Sequence, residues 1–528
     1  MGVLERLPDA LPFVERGIDE PEPFFDRAAD WAVELTYSEI PKPVRRYAKA
    51  QLTSAVAAAL WTQGHPVTTK IRATIRPQDD AGDATFLGVT QTTPEKAAYG
   101  NAALASALEF DDAILGGPIG RSSVFVSLAF AESHGVSGRD LLTAQVAANE
   151  IASRLASAAA IGPLDEERAM YIHAVGAAVG RSMIEGDDTE TLADALGTAL
   201  SQPVSPLDRS LFGSESNVWN ASESIKIGIA AVESARSGIS GRRDVVEHED
   251  GFLATQCTQP VPRYLCDLGE RWHTMSLSVK QFPGSLWVAA PIEAALEVRS
   301  RFDRGRTSVR AVDVYVPQTT ITDDVRAESY ADEQSASLTT TPRSISRNVA
   351  AALVNGERKP VRGAQSVDEV QAIADRVVLH HDPKLTVAAV QSNGQCGNTL
   401  GTGKLAPMQA ALTIGPKATV RHLPTVLFAG RAPTPASSME RAERRFGARV
   451  SVTTTDGETI EETVTRPAGF AGAPLAERRA IARTKCRQAM MADGCDTPVA
   501  RRRTERLLAI DGMETISLAD LLRASERE

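Results

Sequence analysis

Along the first three hundred positions of this chain, apolar residues recur at helical spacing. FFDRAADWAVEL from Phe24, the Pro41 and Pro43 break, and VRRYAKAQLTSAVAAALW running on to about Gly64 predict two helices in sequence. Further helices are predicted over Pro94 to Glu109, Val124 to His134, Gly138 to Ala160 with Ser137 as the cap, Glu166 to Ile184, Thr189 to Leu200, Ala221 to Ser237 and Leu286 to Phe302. Many positions are alanine, which lets helices approach closely, so a helical bundle is expected with no strand of any length interrupting it.

Near Arg306 the period changes. SVRAVDVYVP alternates like a strand, ADRVVLHHDP resembles another, and ARVSVTTTDGETIEETVTRP predicts a hairpin turning at Asp456 and Gly457. SISRNVAAALVNG between them is a short amphipathic helix. After Pro467 helices return, from Pro474 to Ala492 and from Pro498 onward. The expected fold class is mainly α, with a helical domain over 1–305, a smaller α+β lid over 306–466, and a helical segment over 467–528 that returns to the helical domain. Arg431 to Ser438, with Pro433 and Pro435, is the candidate mobile loop.

Composition narrows the partners. A chain of 528 residues, 43% hydrophobic and 23% charged, is expected to fold as more than one globular domain. A net charge of -10 argues against nucleic acid, whose binding surfaces carry a basic excess. No apolar run approaches a membrane span and MGVLERLPDALPFVERG lacks the apolar core of a secretory signal. The five cysteines, Cys257, Cys266, Cys396, Cys486 and Cys495, form no CxxC pair, so a reducing, cytoplasmic setting is expected.

The stretch most suggestive of chemistry is Gly100 to Phe130, where a helix of small residues runs into Glu109, Asp111 and Asp112 and then a loop with Gly116, Gly117, Pro118 and Gly120. Continued helix would put Glu109 and Asp112 on one face. Arg121 follows the turn, so acids would face a cation across a tight loop; alternatively the acids are a solvated helix end. GNTLGTGK, Gly397 to Lys404, fails as a phosphate loop because its glycines are one residue too far apart and Leu405 stands where Ser or Thr is needed. HExxH, GxSxG and EF-hand patterns are missing, and no metal ligands are assigned. His380 and His381 fall on a strand, where neighbours face opposite sides.

NAALASALEFDD with its glycine loop, ESHGVSGRDLLTAQVAANEIASRLA, YIHAVGAAVG, SNVWNAS, SARSGISG, VKQFPGSLWVAAPIEAAL, SISRNVAAALVNG and VSVTTTDGETIEETV resemble the MmgE/PrpD family in order and spacing over about residues 25–490. That family includes 2-methylcitrate dehydratases, cis-aconitate decarboxylases and an iminodisuccinate epimerase, and KQFPGSLWVAAPIEAAL looks closest to the dehydratase branch. The resemblance implies a large helical domain with a smaller lid, a homodimer, a small carboxylated substrate and no metal or organic cofactor.

Carried over residue by residue, the family's acids fall on Glu109 and Asp112, a site histidine on His173, and the lysine of K-x-F-P on Lys280, the four catalytic candidates. A family Thr is replaced by Ala113, and Gly-His-Pro-Ser reads Gly120-Arg121-Ser122-Ser123. Trp-Lys reads Trp219-Asn220, with Asn217 as an alternative match, and Asp-His-Ser reads Pro342-Arg343-Ser344. Trp287 stands where the dehydratase branch has a histidine. Imidazoles that could move protons near neutral pH have thus given way to arginines, which cannot release theirs but grip carboxylates well. Arg121, Ser122, Ser123, Asn220, Trp287 and Arg343 are the substrate-binding candidates. Two functions remain open: a lyase or isomerase with an altered site and substrate, or a non-catalytic scaffold whose arginines pair with its own acids.

Overall fold

The computed structural model describes residues 22–76, 81–88, 90–160, 169–257, 259–301, 308–330, 342–356, 367–394 and 439–523, with the isolated positions 416, 420 and 423. Arg431 to Ser438 and Gly397 to Lys404 lie outside the described residues.

The body is built around the Lys42–Trp61 helix, in which every residue from Ala50 to Trp61 is buried. Its run of alanines admits neighbours on all sides, Pro94–Ser106 on one flank and Leu475–Ala492 on another. The C-terminal helices thereby rejoin the body, closing a core that includes Leu52, Val56, Leu104, Phe110, Cys486 and Leu507. Ser137 caps Gly138–Ala158 in a reciprocal box with Asp140, as its position predicts.

Two short antiparallel pairs correct the expectation of an uninterrupted helical body. Strands β1 (Ala84–Phe86) and β2 (Thr90–Thr92) form a hairpin, and β3 (Ala159–Ala160) pairs with β4 (Gln259–Pro260). Each is too short to show a period in sequence. Helix Pro66–Ile75 was likewise unforeseen. The predicted helix to Glu109 stops at Ser106, and Glu109 takes a left-handed φ of 47°. Glu109 and Asp112 therefore do not share a helical face.

The lid's four-stranded sheet has the order β6-β5-β7-β8, from β5 (Val309–Val316), β6 (Val377–His381), β7 (Ala448–Thr454) and β8 (Thr459–Val464). β5 runs parallel to β6 and antiparallel to β7, and β7 and β8 form the hairpin expected around Asp456 and Gly457. Val312, Val314 and Val316 of β5 and Val450 and Val452 of β7 turn one face inward. That face is covered by Ile345–Asn355 and also by Ala289–Arg299, whose Ile292, Ala295 and Val298 belong to the same core. Ala289–Arg299 thus shares the sheet's core although it precedes 306: the apolar pattern announced a helix there but could not say which core it would join. His380 and His381 separate as strand neighbours should, His380 to Asp313 at 2.7 Å and His381 to Thr386 at 2.8 Å.

Candidate functional site at the junction of body and lid

After the Pro94–Ser106 helix, residues 109–115 are stitched to the segment that carries Lys280. Ala113 and Ser278 exchange backbone hydrogen bonds at 3.0 and 2.6 Å, and the Leu115 amide donates to Ser276 Oγ at 2.8 Å. Lys280 Nζ donates to the Glu109 carbonyl at 2.6 Å and the Gly284 carbonyl at 3.0 Å. A buried ammonium spent on two carbonyls holds the left-handed turn at Glu109, a conformation costing a non-glycine residue about 1–2 kcal/mol. Burial lowers the pKa of Lys280, against the pull of Asp111 and Glu109.

That turn aims Glu109 at the lid. Its carboxylate pairs with Arg343, which sits next to the cap residue Ser344 of Ile345–Asn355 and also reaches Asp323 at 3.2 Å. All three side chains are buried, and the Arg343 guanidinium lies 4.8 Å from the Phe212 ring centroid. The Gly284 amide donates to the Leu108 carbonyl and the Ser285 amide to the Pro342 carbonyl, so the turn after Lys280 ties body to lid. At Gly284, φ is +116° and a Cβ would lie 2.3 Å from the Pro342 carbonyl, which explains the glycine.

Arg121 grips Asp111, Nε to Oδ2 at 2.7 Å and Nη2 to Oδ1 at 3.2 Å. Burial pushes the Asp111 carboxyl up, but Arg121 and Lys280 outweigh it and hold the carboxyl below its ordinary value. Asp112 is different. It is fully buried, lies where a Cβ on Gly120 would come within 3.0 Å of Oδ1, and among the described residues neither carboxylate oxygen accepts a hydrogen bond. Nearby Gln51 makes its close hydrogen bonds with Asn149 and Gln145, and from beyond hydrogen-bond distance it only partly offsets the burial of Asp112. Burial first, and then the charge of Asp111, push Asp112 up to about 7 despite the opposing pull of Lys485.

His173, on the fully buried face of Tyr171–Glu185, places Nδ1 3.1 Å from Ser122 Oγ. Gly176 permits this approach, since a Cβ there would come within 2.6 Å of that hydroxyl. The Ser122 hydroxyl donates to the Ile119 carbonyl at 3.2 Å, which leaves it to accept from Nδ1–H. Nε2 is then the bare nitrogen, and it has no hydrogen-bond partner among the described residues. Burial, with a further push from Arg121, brings His173 down to about 3, so the ring is neutral.

The remaining candidates are more distant in role. Ser123 donates to Asn149 at 2.7 Å, joining a buried amide network with Gln51 and Gln145. Asn220 donates to Asn217 at 2.8 Å, so the two alternative matches bond each other rather than the acids. Trp287 stacks on Phe446 at 4.2 Å between ring centroids, within a small cluster with Phe470 and Ala289. Thus Glu109, Asp112, Arg121, Ser122, His173, Lys280 and Arg343 are gathered, while Asn220 and Trp287 make their recorded contacts elsewhere.

Three participants were not chosen from sequence. Asp111 stands in the sequence as one of three acids with no assigned role, Asp323 arrives with the lid, and Lys485 comes from the C-terminal helix. Lys485 had a signal: it lies in the stripe Arg478, Ala482, Lys485, Cys486, Ala489 that the helix buries. Among the described residues no group of three or more His, Cys, Asp or Glu side chains is placed to hold a metal ion, and no helix is long and apolar enough to cross a membrane.

A helical body, an α+β lid, and buried acids paired with cations where the two meet define the class of this protein. Residues 26–265 match the MmgE/PrpD N-terminal domain. The chain is 28% identical over 275 residues to a cis-aconitate decarboxylase-like protein of Aspergillus oryzae, covering 48% of this chain and 56% of that one. It is 25% identical over 292 residues to a cis-aconitate decarboxylase of Aspergillus terreus, covering 52% and 59%. The match therefore spans little more than half of these relatives' length. Residues 26–265 are thus an MmgE/PrpD N-terminal domain by likeness to the family model. Glu109, Asp112, Arg121, His173 and Asn220 fall inside the matched domain; Lys280, Trp287, Arg343 and Lys485 lie beyond it.

Proposed function

We propose that this protein is a lyase or isomerase of the MmgE/PrpD type that needs no cofactor and makes or breaks a bond beside a carboxylate of a small carboxylated substrate. The observation that carries this is that two buried groups, the Asp112 carboxyl and His173 Nε2, have no hydrogen-bond partner among the described residues, in the loop region where Arg121 clamps Asp111. Such groups are costly to bury, by about 1–3 kcal/mol each, and a substrate bearing hydroxyl and carboxyl groups would satisfy them. Arg121 and Arg343 are suited to carboxylates in bidentate geometry. Asp112, near 7, can give or take a proton at neutral pH, whereas His173 is suited to accepting a hydrogen bond and holding a hydroxyl. In a dehydration, a base removes the C–H proton and an acid protonates the departing hydroxyl. In a decarboxylation, the activity named for the relatives, CO2 leaves and an acid protonates the carbon. Asp112 fits the proton-transfer role in both. A homodimer, expected for the family, would be read by sedimentation.

The test is incubation with citrate, 2-methylcitrate and cis-aconitate, and then a wider set of carboxylates, in deuterated water. Proton NMR follows C–H exchange and product, and CO2 release is measured in parallel. Exchange or turnover that Asp112→Asn and His173→Ala abolish supports the proposal; no exchange with any substrate, or exchange indifferent to both variants, defeats it. A non-catalytic scaffold has one observation in its favour, the closure of Arg121 and Arg343 on Asp111 and Glu109. It predicts that calorimetry detects no binding of any of these carboxylates.

A further inference from the structure

The C-terminal helix sends a lysine into the acid cluster. Lys485 lies on the face of Leu475–Ala492 that packs along Lys42–Trp61, and its side chain is buried. Nζ donates to the Phe110 carbonyl and to Ser54 Oγ at 3.0 Å, and lies 3.9 Å from the centroid of the Phe110 ring, which itself meets Trp61 edge-on. An interface between two alanine-rich helices could be filled by Leu or Met; a buried ammonium there is expensive unless a charge answers it. The carbonyl that anchors Lys485 belongs to the residue immediately before Asp111 and Asp112, so the lysine is fastened to the acid loop itself.

We infer that Lys485 is a positioning residue for Asp112, setting from the C-terminal helix the charge on the carboxyl that moves the reaction's proton. The charged groups that act on Asp112 are Asp111 and Lys485, with Gln51 and its own backbone lowering it further; those that act on Lys485 are Asp112, Asp111, Lys280 and Cys486. Asp111 is clamped by Arg121 and paired with Lys280 at 4.0 Å, so among the acids Asp112 is the larger influence on Lys485. The electrostatics agree: burial brings Lys485 down to about 7, against the pull of Asp112 first, while Asp112 is pushed up to about 7. Around neutral pH the two groups titrate together. Because the helix that carries Lys485 packs on the body, its seating and the charge of the acid loop are linked.

This inference rests on the proposed role of Asp112, and its test needs no substrate. The Asp112 carboxyl is followed by carbon-13 NMR of aspartate-labelled full-length protein, assigned by Asp112→Asn. In Lys485→Met the Asp112 midpoint is expected to rise by at least about one pH unit, a tenfold change in proton affinity, while Lys485→Arg restores it to or below the wild-type value. An unchanged midpoint in a Lys485→Met protein with native circular dichroism overturns the inference. If Lys485→Met does not fold, nitrogen-15 NMR of the lysine amines in Asp112→Asn takes its place. There the Lys485 midpoint should fall because its counter-charge is gone, and an unchanged midpoint again overturns the inference. A shifted midpoint in a protein that turns over no carboxylate supports the Lys485–Asp112 linkage and defeats the enzymatic proposal, so the two failures are distinguishable.

Discussion

Replacing Asp112 with Asn should change how stability depends on pH, in a direction fixed by the site. The folded-state pKa of Asp112 is raised, from 3.8 to about 7, so between those values the folded protein holds a proton that the unfolded chain has released. Stability from this group is therefore fully present below about pH 4 and is lost as pH rises toward 7. The size of the loss is on the order of 4 kcal/mol, at about 1.4 kcal/mol for each pH unit of separation. Lys485 works in the opposite sense: its pKa is lowered from 10.5 to about 7, and the stability it removes is regained only as pH climbs from 7 toward 10.5. Asn cannot ionise, so Asp112→Asn removes the fall between about pH 4 and pH 7. The assay is urea unfolding of wild type and variant across that range at one protein concentration, which also holds any association constant. The stability of the variant minus that of wild type should increase with pH by a few kcal/mol; the lowered Lys485 midpoint in the variant adds to the rise, and groups that do not sense Asp112 cancel. A difference that stays flat, or that falls as pH rises, would mean that Asp112 is solvated or hydrogen-bonded as an ordinary carboxylate, and the argument for its chemistry would go with it.

Other substitutions probe neighbouring contacts. Arg343→Met takes the buried cation from two carboxylates, Glu109 and Asp323, and should lower unfolding stability by about 3–5 kcal/mol in a denaturant titration; a loss below about 1 kcal/mol, the range of surface pairs, would show the pairing to be superficial. Gly228→Ala places a Cβ 2.1 Å from the Ala174 carbonyl, forcing apart the helices that carry Asn220 and His173; about 1–3 kcal/mol of destabilisation is expected, seen as a lower melting temperature. Ser122→Ala removes the acceptor for His173 Nδ1–H, so nitrogen-15 NMR should find one neutral tautomer in wild type and a mixture in the variant. Finding that mixture already in wild type would contradict the assignment of Nε2 as the bare nitrogen.

Periodicity in the sequence was enough to place the long helices, the Ser137 cap, the hairpin at Asp456 and Gly457, and the change from a helical to a mixed segment, because each is written in contiguous residues. The same is true of the acidic motif and glycine loop, whose residue types point to a site however they are folded. Which acid meets which cation was not legible. Arg121, just after the glycine turn, clamps Asp111, Glu109 turns left-handed to reach Arg343 more than two hundred positions away, and Asp112, beside them, has no hydrogen-bond partner among the described residues. Those pairings depend on backbone angles and on contacts between distant segments, neither of which has a period. The helix Ala289–Arg299 shows the same division: its existence follows from local pattern, its membership of the lid from the sheet it covers. Lys485 shows it most clearly, since a lysine in a buried stripe can be found by counting residues, but only the docking of its helix beside Ser54 and Phe110 fastens it to the start of the acid loop. The sequence by itself determined the elements and the chemical groups available; the tertiary structure decided which charges are cancelled and which are left to act, because charge interactions are set by distance and burial rather than by order along the chain.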